Sequence, residues 1–219
     1  MAFLSPKSKL AGAESGATAT SKVPSPAASL CMGAMGFTVA SLVVFGSWAF
    51  AGRWMYEQLG ELGAYAVWAV MFVLIAGGTL NRLVVGERNP LKFYLVFAAA
   101  FLLYAVAWTV AWFTLLRSLR VAELLGSLIG TLLMSGVFVA AFSAWRRAIA
   151  VMITLFVAHS LGYFAGGFLY DTVGGRAGML LWGLAYGLGF GAGIGRALFL
   201  CQTQSQGTRL VPRDGGSSQ

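Results

Sequence analysis

The 219-residue chain is 58% hydrophobic and only 10% charged, with a mean hydropathy of +0.78, where a soluble domain carries roughly a quarter charged residues. That much apolar surface exceeds what one globular core can hide, which excludes an ordinary soluble domain and makes the bilayer its solvent. The net charge of +8 falls in short segments between apolar runs, which fits anionic lipid headgroups and topology control and excludes nucleic acid as a partner.

Residues 1–29 are rich in Ser, Ala, Thr, Pro and Lys, with Glu14 as their single acid. Such a composition buries too little surface to order itself and predicts a flexible tail. It is acid-poor and Ser-rich in the manner of an organellar transit peptide, but it lacks arginine and an amphipathic period. Six apolar runs follow, at about 30–52, 64–86, 93–116, 121–143, 148–170 and 177–200. Each supplies the roughly 20 residues that cross about 30 Å of hydrocarbon as a helix. Backbone groups in lipid must be satisfied internally, and runs of this length fit helices rather than barrel strands. The links are tight, as in Gly86–Lys92 and Arg117–Arg120, so sequential helices are expected as antiparallel neighbours. The expected fold is an all-α membrane protein, a single bundle of six transmembrane helices over 30–201, with a second flexible tail at 202–219.

Counting basic residues on alternate sides sets the orientation. Lys7, Lys9, Lys22, Arg82, Arg88, Lys92, Arg146, Arg147, Arg196, Arg209 and Arg213 fall on one side, against Arg53, Arg117, Arg120 and Arg176 on the other. The positive-inside rule then places both termini in the cytoplasm and the chain in the cell (inner) membrane. None of Pro6, Pro24, Pro26, Pro90 and Pro212 falls inside a predicted span. Any break within a helix must therefore come from glycine.

Polar chemistry inside the spans is sparse. All seven acids (Glu14, Glu57, Glu61, Glu87, Glu123, Asp171 and Asp214) lie in tails, links or span ends. A proton- or sodium-coupled transporter generally keeps a carboxylate near the midplane. Glu123 comes nearest, and its expected place is the interface beside Arg117 or Arg120. Cys31 and Cys201 form no CxxC motif, so neither a disulfide framework nor a cysteine metal site is expected. Both read as small apolar residues at helix ends, positions where S-acylation is conceivable. One histidine cannot assemble a histidine-rich metal centre, and no metal, cofactor or catalytic constellation is expected. That histidine, His159, sits mid-span in "LFVAHSLGYFAGG". A buried imidazole demands a partner, either as a bridge between two helices or as a proton relay or solute contact.

The segment "HSLGYFAG" around His159, Gly162 and Gly166 is similar to the HxxGxxxG pattern of the rhomboid intramembrane proteases. "LMSGVFVAA" looks like a degraded form of their GxSG motif, with Ser135 and Gly136 present and Leu133 where the first glycine belongs. The resemblance implies a Ser135–His159 dyad. It covers two fragments, and in that family another helix separates the two residues, whereas here only 24 positions do. Membership is not claimed.

Two stripes complete the reading. Phe97, Phe101, Tyr104, Trp108 and Trp112 share one face of the third run. In the sixth, Gly183, Gly187, Gly191 and Gly195 recur every fourth residue with Gly189 and Gly193 beside them. No three of these six fit the GxGxxG spacing of a dinucleotide loop, so they predict a helix-packing face that allows close backbone approach. Gly126 and Gly130 form a shorter version in the fourth run. An aromatic wall facing a glycine groove could hold a flat apolar ligand, with His159, Phe101, Tyr104 and Trp108 as candidate contacts. Alternatively the rings fill the groove, or the glycines mediate oligomerisation. The expected function is a small transport or channel-type protein handling a small or apolar solute. The alternatives are a non-catalytic subunit or assembly factor of a membrane complex and, third, an intramembrane enzyme using His159 with Ser135, Ser160 or Tyr163. The expected partners are the lipid bilayer and either further copies of the chain or another membrane subunit.

Overall fold

A computed structural model describes residues 23–84, 90–114 and 120–209, with side chains described through Gln204. Among these residues there are five long helices and no strand: α1 (Pro26–Leu80), α2 (Pro90–Thr114), α3 (Arg120–Phe142), α4 (Ala148–Val173) and α5 (Gly175–Arg209). Single 3₁₀ turns lie at Asn81–Leu83 and Trp145–Arg147. All five helical stretches are long and apolar enough to cross a membrane.

The count is five helices, not the six expected, because the first two predicted runs belong to one element. Between them, "RWMYEQLGELG" offers Met, Glu, Gln and Leu, all good helix formers, and the Arg53 guanidinium pairs with Glu57 one turn on at 3.0 Å. The helix therefore continues until Gly60, its one non-helical residue, at φ 68° and ψ 175°. There it folds back on itself. The Trp68 indole N–H donates to Ser47 Oγ at 3.0 Å, and the Thr79 hydroxyl donates to the Gly36 carbonyl at 2.9 Å. Phe37 and Phe72 stack at 5.3 Å between the two arms, 26–59 and 61–80. The backbone of Gly60 lies in a region essentially closed to other residues, where a side chain costs about 1–3 kcal/mol. Apart from its own chain neighbours and local helix backbone, nothing lies within 4 Å of the position a Cβ would take there, so Gly60→Ala isolates the backbone cost. The expected result is a lower unfolding midpoint in detergent with unchanged helix content. An unchanged midpoint would mean the arms meet by some other turn.

The first and last helices extend beyond the predicted apolar runs. Residues 26–29 are helical: Pro26 opens α1, and the Ser25 hydroxyl accepts from Ala28 N at 3.2 Å, satisfying one orphan donor. Residues 202–209 continue α5, because Gln202 is buried and donates to the Leu83 and Leu198 carbonyls at 3.1 and 3.2 Å. Residues 1–22 and 210–219, and with them Arg88 and Arg117 of the charge count, lie outside the described residues.

Glycine decides how the helices meet, and α5 is their hub. A Cβ at Gly187 would lie 2.6 Å from Thr38 Cα, and one at Gly191 would lie 2.5 Å from the Gly33 carbonyl oxygen. Gly183 and Gly195 face Phe45 and Ser29 in the same way, so this column is pressed against the first arm of α1. Gly189 and Gly193 belong to a second face, against Ala158 and Gly162 of α4, where a Cβ at Gly189 would lie 2.7 Å from Gly162 Cα. Both faces are bare because α5 sits between two backbones. Gly126 and Gly130 likewise receive Trp108 and Tyr104 of α2 on α3. Tyr94 of α2 fills the space over Gly77 and Gly78 and donates to the Leu74 carbonyl at 3.2 Å. Residues such as Val39, Leu74, Leu95, Leu132, Ile153 and Leu188 point outward. Apolar residues thus cover the outside as well as the core, as lipid contact requires.

Candidate functional site

Three helices bring one polar side chain each to the middle of the bundle. Tyr104 comes from α2, where it also fills the space above Gly130 of α3. His159 comes from the centre of α4 and is 0% exposed. Tyr186 comes from α5, on the strip between its two glycine faces. Tyr104 Oη lies 2.5 Å from His159 Nε2 and 3.2 Å from Tyr186 Oη. Two proton arrangements satisfy both contacts: Tyr186 donates to Tyr104, which donates to Nε2, or Nε2–H donates to Tyr104, which donates to Tyr186.

Aromatic rings wall the imidazole. Phe190 meets it edge-on at 4.8 Å, and Tyr163 stacks on it at 5.8 Å with 11° between the planes. The Tyr163 hydroxyl donates to Glu123 Oε1 at 3.1 Å. Glu123 thus binds a tyrosine of the neighbouring helix; among the described residues it has no ion pair with Arg120. Four buried polar atoms around this cluster make no hydrogen bond among the described residues: His159 Nδ1, Ser160 Oγ, and the indole nitrogens of Trp108 and Trp182. Trp108 and Trp182 both contact Tyr163, at 5.9 and 5.5 Å. Each unmatched donor in such a place costs about 1–3 kcal/mol unless something accepts from it. The centre of the bundle therefore holds hydrogen-bonding capacity that the described residues do not use.

The sequence-derived candidates divide. His159 and Tyr104 are hydrogen-bonded partners. Trp108 stands one ring away, stacked on Trp112 at 5.5 Å and beside Tyr163. Phe101 touches Tyr104 at 5.7 Å and packs on its other side against Phe72 at 5.2 Å and Phe37 at 6.2 Å, so it links the polar centre to the rings of α1. The wall and the groove do not face each other, since the glycine column of α5 is occupied by α1 while the stripe of α2 turns toward α3 and the interior. The implied Ser135–His159 dyad has no hydrogen bond to support it. Ser135 donates to the Leu132 carbonyl of its own helix at 2.7 Å, and Nε2 is engaged by Tyr104. Sequence reasoning missed Tyr186. The available signal was a lone ring with a hydroxyl inside the glycine run "LAYGLG", at a position where neither glycine face needs a large residue.

Comparison with family models, with curated proteins and with solved structures finds no match for this chain, so any functional reading rests on the geometry of the site.

Proposed function

We propose that the protein is a small transport-type membrane protein that passes a small solute through the His159–Tyr104–Tyr186 centre. The observation that carries the reading is this hydrogen-bonded cluster, with unmatched donors beside it, at the middle of an otherwise apolar bundle. Ionisable groups in such places are expensive and mark solute or proton routes more often than they serve packing alone. Uncommitted donors favour a small hydrogen-bonding solute over a purely apolar one.

In this reading the chain crosses the membrane six times, α1 crossing twice by folding at Gly60. The distribution of charge supports an orientation with both termini in the cytoplasm. Among the described side chains, Arg82, Lys92, Arg146, Arg147 and Arg196 lie at the helix ends away from Gly60, against Arg53, Arg120 and Arg176 at the Gly60 end. Positive-inside reasoning assigns the first end to the cytoplasm of a cell (inner) membrane. Because the glycine column is covered by α1, any homo-oligomer would use another face.

The test is flux into proteoliposomes across a panel of small polar solutes, comparing the protein with Tyr104→Phe. Solute-dependent flux that falls at least tenfold in Tyr104→Phe supports the proposal. No flux across the panel, with a stable hetero-complex recovered in gentle detergent, would replace transport by the role of a non-catalytic subunit.

A further inference from the structure

At the Gly60 end of the bundle an open cleft of about 500 Å³ lies between the first arm of α1 and the α4–α5 corner, with Trp48, Arg53, Tyr170 and Arg176 among its lining residues. That volume falls within the range of small-molecule sites. Below the cleft, rings run inward in an unbroken series. Trp182 touches Tyr170 at 5.6 Å and Trp48 at 6.3 Å, both of which line the cleft. On its inner side Trp182 touches Tyr163 at 5.5 Å, and Tyr163 stacks on His159 at 5.8 Å. Trp182 is therefore the ring between the cleft and Tyr163, which itself walls His159.

Two features make this indole suited to moving. Its N–H is buried and makes no hydrogen bond among the described residues, so packing contacts alone hold it. It lies in a slot that exists only because α4 has glycine at 166, where a Cβ would overlap the ring and come within 2.9 Å of the Trp182 carbonyl oxygen. A side chain held by dispersion alone can change rotamer without breaking a polar bond.

We infer that Trp182 is the size-selecting gate between this cleft and the His159 centre, admitting a small solute from the Gly60 end when its indole swings away. The inference rests on reading the bundle as a transport protein, but its test does not require flux. In full-length protein carrying Cys31→Ser and Cys201→Ser, Ser160→Cys places a thiol at the buried position next to His159 in the α4 sequence, and Ala49→Cys places one in the cleft as a reference. Both are exposed in lipid nanodiscs to a charged, membrane-impermeant methanethiosulfonate, and labelling is followed by mass.

The expected result is fast labelling at position 49 and slow labelling at 160. Trp182→Ala should accelerate the latter at least tenfold, with Trp182→Phe in between. Equal labelling at 160 with and without the indole would overturn the inference, as would continued protection in a folded Trp182→Ala protein. If Trp182→Ala does not fold, Trp182→Leu provides the same comparison. Failed gating with solute flux intact sinks the gate alone. Gating without flux for any solute sinks the transport reading and leaves the gate standing.

Discussion

Gly191→Leu should leave little folded protein. The glycine sits where α5 and the first arm of α1 approach backbone to backbone, with a Cβ position 2.5 Å from the Gly33 carbonyl oxygen and 2.7 Å from Phe37 Cβ. Overpacking an ordinary core costs about 1–3 kcal/mol because side chains can shift. Here the obstacle is a carbonyl in a helix, which cannot move without opening the hydrogen-bonded ladder, so the cost should reach or exceed the upper end of that range. Gly191→Ala should show a smaller loss of the same sign. The controls are Gly136→Leu and Gly167→Leu, whose Cβ positions meet nothing within 4 Å. Thermal unfolding in detergent with size-exclusion chromatography reads all four. Equal stability of Gly191→Leu and the controls would mean that α5 and α1 do not pack through this column.

His159→Ala and His159→Phe should separate structure from function. Alanine removes a fully buried ring surrounded by Phe190, Tyr104, Tyr163 and Tyr186. By comparison with other large buried rings the loss is about 3–5 kcal/mol. Phenylalanine fills that space with a somewhat larger ring, which the neighbouring side chains must accommodate, and loses the hydrogen bond with Tyr104. Such bonds between membrane helices are worth about 0.6 kcal/mol on average and rarely as much as about 2. Tyr104 can still pair with Tyr186, which limits the damage further. The expected outcome is a His159→Phe protein that folds nearly as well as the native chain and has lost its flux. Full flux in a folded His159→Phe protein would reduce the imidazole to a bridge between helices.

The sequence made helical membrane segments legible because the signal is local: about 20 consecutive apolar residues have few other stable states in lipid. It also showed that the glycines of α5 form helix faces, since a period of four is a geometric statement about one helix. Residues 183, 187, 191 and 195 proved to share one partner. What occupied that face could not be read from α5, because the complementary surface is made by Ser29, Gly33, Thr38 and Phe45, some 150 residues earlier. The break between the first two runs was obscured for a related reason. Good helix formers fill the link, and only the left-handed φ of Gly60 turns the chain.

The polar centre was half legible. His159 stood out as a lone imidazole in an apolar run, and Tyr104 as a member of a stripe. Their pairing joins positions 55 residues apart, and the pairing of Tyr104 with Tyr186 joins positions 82 apart. No periodicity reaches across such distances. Hydropathy and spacing by themselves indicated long apolar helices suited to lipid, and their bare faces, because those depend on neighbours within a few turns. The tertiary structure alone decided which face meets which helix, that Tyr104 pairs with His159 while Phe101 links Tyr104 to the rings of α1, and that Trp182 stands between the cleft and Tyr163. The reason is physical: a hydrogen bond or a ring contact between helices is settled by where backbones can come close, and in this chain glycines on several different helices set that approach together.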